Sequence, residues 1–313
     1  MHPMSRLTAL AALSLFLAPL PGFAGQESEE ALPAAEATEV QPEVKPELFF
    51  DVEQFAPGKR ASLVIVLNVP EQWHIYWDHP GEAGMATTIE VTGPEGWQIE
   101  AVRYPGPTPY VDAQGNACNI LEGEAGFFVP ILPPDDAKPG SEVEFRVRAT
   151  WLLCKESCQL GKLDQTISVQ VTDSLPRRVS DRRLAGMRNR LPRIGPGSKV
   201  VGYSFAGDLD EANLTFMLPR SAELRFFPYA DSAMVVAQEA EGSRAAELSQ
   251  RNYVLRQSPS ADVEAIGVHG VLRVQEESRV QYFEINLTGA QFREPVVENL
   301  GHGDLPVVPR KKE

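Results

Sequence analysis

From Glu142 to Trp151 the chain switches between polar and apolar with every residue, and the same rhythm returns a few residues later. Val143, Phe145, Val147, Ala149 and Trp151 are apolar, and Glu142, Glu144, Arg146, Arg148 and Thr150 alternate with them. A period of two describes a half-buried strand, not a helix face. Ile167, Val169 and Val171 repeat it, with Thr166, Ser168 and Gln170 between them. The simplest object joining the two runs is a hairpin with Cys154 and Cys158 at its tip. Residues four apart in one extended strand lie roughly 13 Å apart. A disulfide requires Cα atoms within roughly 7 Å. A Cys154–Cys158 bond therefore requires the chain to reverse through Lys155, Glu156 and Ser157, or to coil into one helical turn. A bond that closes so small a loop adds little stability. That makes it a poor staple and a plausible redox switch.

The chain ends indicate an exported protein. Arg6 precedes an apolar run from Leu7 to Leu20, and Gly22-Phe23-Ala24 supplies the small residues read by signal peptidase. Residues 1–24 are expected to be a cleaved signal peptide, since the run is too short for a membrane span. Residues 25–47 are acidic, rich in Pro and Ala, and expected to be a disordered leader. Residues 291–313 are expected to be a flexible tail. After cleavage no segment is long and apolar enough to span a membrane, which predicts a soluble exported protein. The formal charge of −14 argues against a nucleic-acid partner. Three cysteines are too few for a disulfide scaffold, so apolar cores must hold the fold.

The fold class expected is all-β: two tandem immunoglobulin-like antiparallel β-sandwiches joined by a short helical linker. Residues 48–173 form the first. Ser62–Leu67, Trp73–Trp77, Thr87–Val91 and Phe127–Ile131 read as strands separated by turn signals such as Pro80-Gly81 and Gly93-Pro94. Residues 174–199 are the linker, basic and with Leu184, Met187 and Leu191 at near-helical spacing. Its arginines read as a solvated face, with an acidic docking partner as the alternative. Residues 200–290 are again β-rich, with strands around Leu214–Leu218, Leu224–Phe227, Val271–Val274 and Val280–Ile285. No catalytic constellation is visible in that half.

Two segments resemble a known family. Trp73-His74-Ile75-Tyr76-Trp77 followed by Pro80-Gly81-Glu82-Ala83-Gly84 is similar to a "GWHxYWxNPGDSG" segment. Thr150-Trp151-Leu152-Leu153-Cys154-Lys155-Glu156-Ser157-Cys158 is similar to "xWLxCKExC". Both belong to the N-terminal periplasmic domain of the transmembrane thiol:disulfide interchange reductases of the DsbD and ScsB type. The second half, with Leu224–Pro228 and Gly270-Val271-Leu272, resembles the companion domain of the ScsB-like branch. The resemblance implies an immunoglobulin-like sandwich that relays electrons. A membrane thiol reductase or its thioredoxin-like domain would reduce the Cys154/Cys158 pair. The pair would then reduce periplasmic disulfide isomerase-like proteins. Cys158 would form the mixed disulfide with partners, and Cys154 would be the resolving thiol. A loop shields the pair in the family, and Asp112–Leu121 is the candidate for it here. The chain carries neither multiple spans nor a thioredoxin-like Cys-x-x-Cys, so a separate membrane protein must supply the electrons. No cofactor and no metal are implied.

Cys118 is an odd third thiol. It reads as a buried inert residue, with exchange into the Cys154–Cys158 bond as the alternative. Beside Lys155 and Glu156 the local charge argument for a thiolate is balanced, so access should govern reactivity. His74 and His79 read as structural, and Trp73 and Trp77 as core. Two other functions remain open on residues alone. One is a non-enzymatic tandem-sandwich binding protein with a structural disulfide. The other is a Cu(I)-handling protein using Cys118, Cys154 and Cys158 with Met85 or His74, since Cu(I) prefers sulfur.

Overall fold

The alternating runs form one long hairpin. In the computed structural model, Glu142–Cys154 and Cys158–Gln170 are antiparallel strands of 13 residues each, paired along their whole length. Phe145, Val147, Ala149 and Trp151 are buried in strict alternation with exposed Glu144, Arg146, Arg148 and Thr150. The structure describes residues 42–195, 202–207, 211–219, 221–232, 234–244, 248–257 and 267–288. The expected signal peptide, most of the leader, the linker's end and the tail lie outside these residues.

The first half contains ten strands: β1 (Lys45–Phe50), β2 (Ala61–Asn68), β3 (Ile75–Gly81), β4 (Thr88–Thr92), β5 (Gln98–Ile99), β6 (Thr108–Val111), β7 (Ala117–Leu121), β8 (Glu124–Leu132), β9 (Glu142–Cys154) and β10 (Cys158–Gln170). They form sheets ordered β1-β2-β8-β5, β10-β9-β4 and β3-β7-β6. Strand β1 begins at Lys45, so Lys45, Pro46 and Glu47 pair with Asn68, Leu67 and Val66 rather than ending the leader. Their backbone groups complete the edge of β2, which composition alone does not reveal. The facing sheets enclose Phe55, Leu63, Ile65, Trp77, Phe127 and Phe145, all 0 % exposed. Trp97 meets Phe55 and Phe145 edge-to-face, each at a 5.4 Å centroid separation, a favoured aromatic geometry.

The linker helix α1 (Arg182–Arg190) is capped by Asp181, whose carboxylate accepts from the Arg183 N–H at 2.7 Å. Leu184, Met187 and the following Leu191 pack on Val64, Val66 and Phe128 of the first sandwich. A Cβ at Gly126 would come within 2.6 Å of the Met187 sulfur, so glycine is what lets the helix approach β8. The basic run is not simply solvated. Arg178 and Arg188 both pair with Asp51, which is 2 % exposed. The Ser62 N–H donates to the same carboxylate at 2.7 Å. Arg183 reaches Glu124 at 2.8 Å and Glu47 at 3.2 Å. The acidic partner of these arginines is thus the sandwich itself. A buried carboxylate left without its cations would be strongly unfavourable, so these contacts clamp the linker.

The second half comprises β11 (Arg193–Ile194), β12 (Gly202–Gly207), β13 (Glu211–Pro219), β14 (Ala222–Pro228), β15 (Met234–Arg244), β16 (Leu248–Gln257), β17 (Gly267–Glu276) and β18 (Arg279–Thr288). Its sheets run β11-β18-β17-β14 and β12-β13-β16-β15. Phe216, Phe226, Leu255 and Tyr253 fill its core. The Tyr253 hydroxyl accepts from the Phe226 N–H and donates to the Leu224 carbonyl, which satisfies it in a dry site.

The two halves share apolar surface. Phe227, Val271 and Tyr282 belong to the same buried cluster as Trp77 and Phe127. Trp77 stacks on Tyr229 at 5.1 Å and donates its indole N–H to the Pro105 carbonyl at 2.9 Å. Tyr282 covers Gly106 so closely that a Cβ there would lie 2.0 Å from the ring. The Ala230 N–H donates to Asp78 at 2.9 Å. The second half is therefore packed against the first, and Trp73–Trp77 builds part of the joint.

Candidate functional site

Register alone sets the cysteines opposite each other. Cys154 and Cys158 are Cα partners across β9 and β10, with Lys155, Glu156 and Ser157 as the turn. The Lys155 N–H donates to the Ser157 carbonyl at 3.1 Å, which closes it. The reversal weighed from sequence is present, and not the helical turn. Cys154 and Cys158 are joined by a disulfide with Cα atoms 4.2 Å apart. The two sulfurs differ in access. Cys154 is 2 % exposed, while Cys158 is exposed at the start of β10. Two residues beyond Cys158 on the same face, Leu160 is 67 % exposed, an apolar side chain in water beside the accessible sulfur.

The buried sulfur lies on a small second core. At its end β9 turns from β4 to the residue before β3: the His74 N–H donates to the Cys154 carbonyl at 3.0 Å, and the Cys154 N–H to the His74 carbonyl at 2.9 Å. Strand β3 pairs with β7, and β7 with β6. Side chains directly opposite in antiparallel strands share a face. Cys154, Tyr76, Ile120 and Cys118 accordingly form one buried cluster, with Leu152, Tyr110 and Ala83 against it. The His74 ring meets Tyr110 at 4.8 Å and Tyr76 at 5.4 Å. His74 is 6 % exposed and its Nε2 has no hydrogen-bond partner. Burial holds its pKa below the usual histidine range. Burial likewise pushes the Tyr76 phenol up.

The segment Asp112–Leu121, expected as a flexible shielding loop, is a hairpin turn followed by β7. Asp112 accepts from the backbone N–H groups of Gln114 and Asn116 at 2.9 and 2.8 Å, and from the Asn116 carboxamide at 2.8 Å. Gly115 takes φ +91°, a conformation glycine adopts without cost. Glu82 accepts from the Ala117 N–H at 2.6 Å, and Asn119 donates to the His79 carbonyl at 2.9 Å. These bonds tie the hairpin to the segment that follows Trp77. Glycine and asparagine here serve a tight turn rather than mobility. What the hairpin brings to the cysteine pair is Tyr110, set against His74 from β6.

Cys118 is 2 % exposed, and its thiol lies 3.6 Å from the Ala83 carbonyl. Burial first, then Asp112 and Glu82, pushes its pKa up. Both effects oppose a thiolate. Trp77 is fully buried, and Trp73 is partly buried against the same core. The His79 ring accepts from the Gly81 N–H at 3.3 Å. Lys155 extends to Gln72 at 2.8 Å. Among the described residues no three His, Cys, Asp or Glu side chains converge as a metal site. The sulfurs of Cys154 and Cys158 are bonded to each other. Tyr110 and the placement of His74 were missed from sequence. The signal for Tyr110 is that the Asp112–Asn116 turn sets it opposite Cys118.

An all-β, immunoglobulin-like protein with a cysteine pair at a hairpin tip is the class this geometry defines. The family model described as "Thiol:disulfide interchange protein DsbD, N-terminal" matches residues 40–168. Those residues, which hold β1–β9, nearly all of β10 and both cysteines, are a DsbD-type N-terminal domain. The N-terminal periplasmic domain of ScsB from Proteus mirabilis is 14 % identical, with 78 % of this chain and 92 % of that one covered at a TM-score of 0.50, and it shares the fold. The collagen adhesin of S. aureus (8 % identity, 82 % and 94 % covered, TM-score 0.18) is a much weaker likeness. So is the 35 kDa C-terminal fragment of the major pilin GBS80 of Streptococcus agalactiae (12 % identity, 78 % and 91 % covered, TM-score 0.23). Neither bears on function. No curated protein sequence matches the chain. Among the described residues no helix is long and apolar enough to cross a membrane.

Proposed function

We propose that this protein is a periplasmic thiol:disulfide interchange module. It takes electrons from a membrane thiol reductase or thioredoxin-like domain and passes them to oxidised periplasmic proteins. One observation carries the reading: within a DsbD-type domain, the disulfide has one accessible sulfur, Cys158, and one buried sulfur, Cys154. Exchange needs in-line approach of an attacking thiolate to one sulfur of the bond. Access favours Cys158 as the atom that joins a partner and Cys154 as the thiol that resolves the adduct. Exposed Leu160 supplies an apolar contact beside the point of attack. Cys118, buried and held protonated, takes no part. We read residues 48–173 as the exchange domain and residues 200–290 as its packed companion.

The reduced protein, mixed with an oxidised disulfide isomerase-like protein, is expected to transfer two electrons and return to the disulfide form. The Cys154→Ser/Cys158→Ser double variant is expected to transfer none. Quenched alkylation of both proteins measures the transfer. No transfer by the wild type beyond that seen with the double variant would leave a binding module with a structural bridge as the better reading.

A further inference from the structure

We infer that His74 is the proton acceptor for Cys154 when that thiol resolves the mixed disulfide, an inference that rests on the relay reading above. Cys154 is 2 % exposed, so bulk water has poor access to its proton. The residue opposite it, with both backbone hydrogen bonds exchanged, is His74. Such pairs hold Cα atoms about 5.5 Å apart with side chains on one face. The imidazole is 6 % exposed and its Nε2 is unpaired. A buried polar atom without a partner is costly and calls for an explanation. A neutral imidazole has one nitrogen free to accept a proton, and burial keeps this ring neutral at physiological pH.

Tyr76 on β3 and Tyr110 on β6 lie against the ring, and the other titratable groups of the same buried cluster are Cys154 on β9 and Cys118 on β7. Burial pushes up both the Tyr76 phenol and the Cys118 thiol, so each keeps its own proton. Charged side chains near this cluster have partners elsewhere: Lys155 is on Gln72, the Asp112 carboxylate holds the turn, and Glu82 accepts from the Ala117 N–H. His74 is therefore the base the site offers.

The step balances as follows. Cys158 is bonded to a target sulfur, and Cys154 is a thiol. The Cys154 proton passes to His74, and the Cys154 sulfur attacks that of Cys158. The Cys154–Cys158 bond forms, the Cys158–target bond breaks, and the target leaves as a thiolate that takes a proton. The target has gained two electrons, the pair has lost two, and His74 is neutral again.

Glutathione disulfide serves as the probe. Reduced protein reacts at Cys158 to give a glutathione adduct, and acid quenching with mass spectrometry follows its decay. With a neutral histidine as base, the decay rate is expected to be nearly flat from about pH 6.5 to 8, between the ordinary histidine and cysteine values. In His74→Gln it is expected to fall roughly 100-fold at pH 6.5 and to rise about tenfold per pH unit as thiolate supply takes over. A merely structural role would lower the rate equally at every pH. Parallel profiles for His74→Gln and wild type overturn the inference. So does a wild-type rate that rises about tenfold per unit over this range, which needs no variant to fold. In a Cys154→Ser background, where no resolving thiol remains, adduct formation at Cys158 is read by itself. No adduct at Cys158 there overturns the relay and the base together. Normal adduct formation with an unaltered resolving profile overturns the base alone.

Discussion

Cys154→Ser will trap partners on Cys158, whereas Cys158→Ser will trap almost none. The asymmetry follows from exposure, since Cys154 is buried between β10 and His74 while Cys158 faces solvent. With Cys154 absent the adduct at Cys158 has no resolving thiol and persists. With Cys158 absent the remaining thiol is 2 % exposed in a cluster against which Leu152, Tyr110 and Ala83 pack, and a partner's disulfide cannot reach it in line. Non-reducing electrophoresis with an oxidised thioredoxin-fold protein reads the difference, expected to exceed about 100-fold in initial rate for so buried a thiol. Equal trapping by the two variants would mean that the hairpin tip opens far enough to expose both sulfurs.

Trp77→Ala will be the most damaging single substitution in the joint. Trp77 is 0 % exposed, stacks on Tyr229 and meets Phe227 at 6.2 Å. It also satisfies the Pro105 carbonyl. Removing a buried tryptophan costs about 3–5 kcal/mol. In a chain of this size that corresponds to a Tm lower by roughly 10 °C. Because Phe227 and Tyr229 lie in the second half, the two halves should also cease to unfold together, visible as a broadened or split calorimetric transition. Trp73→Ala, at a partly buried position, should cost much less. Equal Tm losses for the two tryptophans would contradict this account of the joint.

Fold and hairpin were legible because alternation is a local property. Glu142–Trp151 reveals its buried face residue by residue, and the pairing of Cys154 with Cys158 follows from that register. The helix was legible from Leu184, Met187 and Leu191 at near-helical spacing. What escaped was long-range. Asp51 reads as an ordinary acidic residue until Arg178 and Arg188 fold over it, 127 and 137 positions away. The place of Trp77 in the joint depends on Phe227 and Tyr229, which no spacing rule connects to it. The Asp112–Leu121 segment misled because glycine and asparagine mark both mobile loops and tight turns. Only the triple acceptance by Asp112 settles which. His74 looked structural because the residue opposite it lies on a strand 80 positions later.

The pair's midpoint potential, measured by equilibrating the folded protein in glutathione buffers and counting alkylated cysteines, decides most directly whether these sulfurs carry electrons. The account predicts a two-electron titration above about −300 mV, with the far-ultraviolet spectrum unchanged between the two forms. A bond that stays closed below that potential, or a sandwich that unfolds when it opens, would contradict it.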